Sequence, residues 1–121
     1  MAAYLPRPRA VAVKLTVAQV NAGIDIVPGD PERAIRVVDA TARAIGGNVG
    51  TATGVDVTNT AGTTKVASFA RAGLTDGALV RAGAANTTLG AGWNADLAAG
   101  QGLKIVKDGG DLDTATHIEV T

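Results

Sequence analysis

The chain reads as an all-β domain, a β-sandwich or jelly roll of short antiparallel strands, and three observations predict this. Short runs rich in valine, isoleucine and threonine recur along it, as TATGVDVTN, TKVASFARA, ALVRAGA, GLKIVKD and THIEVT. Glycines and asparagines punctuate them about every ten residues, the spacing of strands joined by turns. The third is length: 121 residues suffice for one hydrophobic core and not for two. The expected organisation is therefore an extended arm over residues 1–9 and a single β domain over 10–121.

The elements follow in order. In the arm, MAAYLPRPR, two prolines fix an open backbone that cannot pair regularly. Residues 10–20, AVAVKLTVAQV, place Val11, Val13, Leu15 and Val17 on one face and Lys14 and Thr16 on the other, a half-buried strand. Ile24 to Val27 continue extended until PGDP forces a turn. The next stretch, DPERAIRVVDATARAIGG, supports two readings. As one short helix near residues 31–45 it has Asp30 as N-cap, Pro31 at the first helical position, a stripe of Ile35, Val38, Ala42 and Ile45, and Gly46 as C-cap. As a strand it has the β-branched run Ile35-Arg36-Val37-Val38 between extended neighbours. The five strands already quoted come next. Between the third and fourth, NTTLGAGWNADLAAGQG has no period and reads as a loop anchored by Trp93 and Leu97. KDGGDLD reads as a tight hairpin joining the last two strands.

Composition narrows the function. Eleven basic residues balance eleven acidic ones, so the clustered positive footprint of a nucleic-acid binder is missing. With no cysteine there is no disulfide, no thiolate catalysis and no cysteine-based zinc site. No apolar run approaches the roughly 18 residues that span a bilayer, and MAAYLPRPRA lacks the apolar core of a signal peptide, so the expected site of synthesis is the cytoplasm. Apolar content is mostly alanine and valine, with Tyr4, Phe69 and Trp93 as single aromatics. An aromatic ring buries roughly 150–250 Å², so a core this poor in rings is thin and a homo-oligomer is expected.

Four motifs invite chemistry and none completes it. LDTA at 112–115 matches the aspartate string of retroviral-type proteases, but eight residues follow Asp113, too few to supply the flap and the later glycine motif of that fold. Asp108, Asp111 and Asp113 miss the spacing of a calcium loop. His117 has no second histidine or cysteine to share a metal, and Ser68 is the one serine it could activate. GGNVG at 46–50 lacks both the glycine pattern and the lysine of a phosphate loop and reads as an element terminus. No cofactor, metal or catalytic residue is expected.

Three stretches, IRVVDATARAIGG, AGLTDGALVRAGAANTTLGAGWNADLAAGQGLKIVKDGG and LDTATHIEV, carry a resemblance over roughly three quarters of the chain. Through AIGG, GLT…ALVRAGA and ATHIEV the chain resembles small virion structural proteins of tailed bacteriophages, of the head decoration or cement kind. The resemblance implies a β-sandwich or jelly roll, no catalysis, frequently a homotrimer, residence on the virion head surface, and the major capsid protein as partner. It also favours the strand reading of residues 31–45. Within that expectation the arm is the candidate tether: Tyr4 and Leu5 fill an apolar recess while Arg7 and Arg9 meet carboxylates. Trp93 is the candidate contact on the loops. Two alternatives stand beside it, another virion part such as a tail, adaptor or fibre-associated protein, and a carbohydrate- or host-surface-binding module stacking its ligand on Trp93 and Tyr4.

Overall fold

A computed structural model describes residues 10–29, 31, 34–50, 52–112 and 117–121. The described residues form nine strands and one short helix: β1 (Val13–Thr16), α1 (Val17–Ala22), β2 (Ile24–Val27), β3 (Thr41–Ile45), β4 (Ala52–Asn59), β5 (Lys65–Ala70), β6 (Leu79–Arg81), β7 (Thr87–Leu89), β8 (Leu103–Gly109) and β9 (His117–Val120). They make two antiparallel sheets, of order β1-β9-β3-β6 and β2-β8-β4-β5-β7. Four pairings, β1 with β9, β2 with β8, β3 with β6 and β4 with β5, describe one long antiparallel ribbon folded back on itself. Two more, β3 with β9 and β4 with β8, roll that ribbon into a sandwich. This is the connectivity of a jelly roll, with β7 added beyond β5.

Alternation decides which side chains enter the core. Ala42 and Ala44 of β3, Ile118 and Val120 of β9, Val55 and Val57 of β4, Phe69 of β5 and Ile105 of β8 are buried between the sheets. Five of the nineteen buried apolar side chains among the described residues are alanines, and Phe69 is the one buried ring, so the core gains little per residue from leaving water.

Four expectations are corrected. The strand expected over residues 10–20 ends at Thr16, because Thr16 opens a capping box: its hydroxyl accepts from the Gln19 N–H at 3.2 Å while its own N–H donates to Gln19 Oε1 at 2.9 Å. The turn of helix that follows stops at Gly23, whose φ of 81° suits glycine. Of the two readings left open for residues 31–45, the helix is not there among the described residues. Ala34 to Ala40 are irregular apart from a bridge at Val37, and Thr41–Ile45 is β3. Ala40, Ala42 and Ala44 all bury, a period of two, and β3 bonds to β6 and β9 on both sides. The cap residues Asp30, Glu32 and Arg33 lie outside the described residues. The loop expected over 86–102 contains β7, held by its register with β5. Finally, KDGGDLD is no hairpin: β8 and β9 belong to opposite sheets, so the segment crosses the sandwich. Gly109 there does take a positive φ, 77°.

Candidate interaction surface

The strand registers fix which connections share an end. Val13 pairs with Val120, which also faces Ala42, so the start of β1, the end of β9 and the start of β3 lie together. Asn59 pairs with Leu103, placing the end of β4 and the start of β8 at one end of the other sheet. Main-chain bonds join these two regions. Residues 34–40 and 90–102 bridge in parallel at Val37 and Trp93, and Asn94 N–H donates to Val37 O at 2.9 Å and Leu97 N–H to Ile35 O at 2.8 Å. Gln101 Oε1 accepts from Thr60 Oγ1 and the Ala61 N–H, both at 3.0 Å, which ties in the 60–64 turn. Glycine permits the closest approach: a Cβ on Gly102 would sit 1.9 Å from Val27 O, and one on Gly29 1.9 Å from Gly100 O.

Trp93 sits within this end. Trp93 is half-buried and packs against the core cluster. Ala10, where residues 1–9 join the described chain, lies three residues before Val13 at the same end. Tyr4, Leu5, Arg7 and Arg9 themselves lie outside the described residues. Close by, Ala12, Val13, Lys14, Glu119 and Thr121 line a shallow recess of about 280 Å³. Two exposed ion pairs lie here, Arg36 with Asp96 and Arg81 with Asp39, each at 3.0 Å.

The residues singled out for chemistry do not assemble. His117 lies outward on β9, flanked by Thr16 and Ile45, while Ser68 lies outward on β5 of the other sheet. With Ile118 and Phe69 beside them filling the core, the two point to opposite outsides of the sandwich. Asp113 of LDTA lies outside the described residues. Asp111 binds Lys107, four positions back.

One polar cluster escaped the sequence reading. Asp56, on the outer face of β4 yet only 6% exposed, accepts from Ser68 Oγ at 2.6 Å and pairs with Lys65 Nζ at 3.1 Å. The hydrogen bond and charge of Asp56 raise the Lys65 pKa above the usual lysine value, and burial offsets this only in part. A raised lysine pKa favours the ammonium over the neutral amine that a serine–lysine pair would need, and the Ser68 hydroxyl donates to the Asp56 carboxylate. The arrangement ties β4 to β5. Asp56 and Ser68 sit twelve apart, a spacing that reveals contact only once the register is known.

No family model, no curated protein and no solved structure matches this chain.

Proposed function

We propose that the chain is a virion structural protein of a tailed bacteriophage, a decoration or cement protein that binds the outer surface of the head and stabilises it. The observation that carries this is the laced end of the sandwich. Three connections bond to one another there, next to Ala10, where the arm joins the described chain. A rigid sheet presenting fixed loops suits adhesion to a regular shell. The sequence resemblance supplies the identity of that shell, through the major capsid protein. The half-buried ring of Trp93 favours packing over sugar stacking.

In this reading Tyr4 and Leu5 anchor in an apolar recess on the capsid, and Arg7 and Arg9 pair with carboxylates there. The test is to delete residues 1–9 and measure folding and binding to purified heads separately. The truncated chain should keep its circular dichroism and melting temperature, lose most of its affinity for heads, and lose with it the salt-dependent part of binding. Undiminished binding by the truncated chain would move the adhesive surface to the loops around Trp93. Failure of the full chain to bind heads would remove the virion reading.

A further inference from the structure

Two aspartates of the chain are followed directly by glycine, Asp76-Gly77 and Asp108-Gly109, and no asparagine is. Such a step can close on itself, because no side chain shields the glycine nitrogen from the carboxyl group of the residue before it. The fold treats the two steps differently. At the first, the Gly77 N–H donates to Ala44 O at 2.8 Å, and Asp76 Oδ1 accepts from the Gly46 N–H at 3.0 Å. Nitrogen and carboxylate are both held there.

At the second step neither is held. The Arg71 N–H donates to Thr53 O, so Thr53 turns its main-chain groups to β5 and Gly54, the next residue, turns its own to Asp108 of β8. A trans peptide points the N–H of one residue opposite to the C=O of the residue before it. With the Asp108 carbonyl turned to Gly54, the Gly109 N–H therefore points away from β4. β2, on that side, pairs with β8 only over Leu103 to Ile105, so no strand meets this N–H. Among the described residues no hydrogen bond or ion pair holds the Asp108 carboxylate. The glycine is itself required: its φ is 77°, and a Cβ on it would sit 2.3 Å from Thr53 Oγ1.

We infer that Asp108-Gly109 is a site of spontaneous backbone modification, passing through a succinimide to a β-linked isoaspartyl-glycine bond, while Asp76-Gly77 is spared in the folded chain. The Gly109 nitrogen attacks Cγ of the protonated Asp108 carboxyl group. The N–Cγ bond forms, and the carboxyl hydroxyl leaves with the amide hydrogen as water. Water then opens the ring at one of its two carbonyls. Cleavage at Cγ restores aspartate; cleavage at the Asp108 main-chain carbonyl leaves the backbone running through Cγ. The lengthened link lies where the chain leaves β8 to cross the sandwich, just before Leu112, which is buried and exchanges two hydrogen bonds with the Asn21 side chain. Modification displaces that anchor and lowers the melting temperature. The inference does not depend on the virion reading.

Ageing the full chain at neutral pH, with and without denaturant, tests it. Enzymatic methylation of isoaspartyl residues with a labelled methyl donor, followed by peptide mapping, reads each step separately. The folded chain should label several-fold more at Asp108 than at Asp76, and denaturant should bring Asp76 up to the level of Asp108. Asp108→Glu lengthens the side chain so that the succinimide cannot close. That variant should lose the label at this position and keep its circular dichroism, since no hydrogen bond depends on the carboxylate. Equal labelling of the two steps in the folded chain, no label at Asp108, an Asp76 that stays silent in denaturant, or a label that survives Asp108→Glu would each overturn the site. A labelled fraction that melts with the fresh protein would overturn its link to Leu112.

Discussion

At the scale of the residue, the Asp56–Lys65–Ser68 cluster makes the sharpest claim. Asp56 is a carboxylate withdrawn from water on the outside of a sheet, held by one ammonium and one hydroxyl. The Lys65 side chain stays 45% exposed, so solvent screens the pair and its worth is at most about 1 kcal/mol. The folded state raises the lysine pKa, so it holds that proton more tightly than the unfolded chain does. The stabilisation is therefore complete below the unfolded lysine value of about 10.4 and is lost as pH rises through the higher folded value. Lys65→Met should lower the melting temperature at neutral pH, and the gap to wild type should begin to close above about pH 10.4 and vanish only past the higher folded value. A gap that persists unchanged through that alkaline range would show that the ion pair contributes nothing.

Among the elements, legibility followed how local the signal was. β4, β5, β8 and β9 could be read from their valine-rich runs because alternation is written in consecutive residues. β3 could be read only as one of two options, since the period-two burial of Ala40, Ala42 and Ala44 is faint in a residue with so little side chain and good helix propensity. α1 was missed although TVAQ carries its capping box, because alternation in AVAVKLTV dominates the window. β7 has three residues and no period of its own, and the crossing of KDGGDLD from sheet to sheet is set by pairings far along the chain. The exposure of Leu79 could have been suspected from Leu79-Val80: adjacent apolar residues in a strand face opposite ways, so one of them is left outside. The helix offers a direct check. Thr16→Ala removes one half of the capping box and should cost about 1 kcal/mol of unfolding free energy. An unchanged chemical-denaturation midpoint would mean that α1 is held by Val20 in the core alone.

For the molecule as a whole, the jelly roll distinguishes an end from a side. One end is stitched from residues 34–40, 60–64 and 90–102 and adjoins Ala10; β6 and β7 end their sheets along one side. In the proposed role it is the laced end that meets the shell. Of the proposed contact residues, Trp93 could be placed at that end from its register, whereas Tyr4, Leu5, Arg7 and Arg9 rest on the sequence alone. A head-surface role is tested most directly by a cryo-electron-microscopy map of the phage particle that carries the protein. The proposal predicts density for this two-sheet sandwich on the outside of the head, with the end bearing Ala10 and Trp93 turned toward the shell. Density confined to the tail, or none anywhere on the particle, would contradict it.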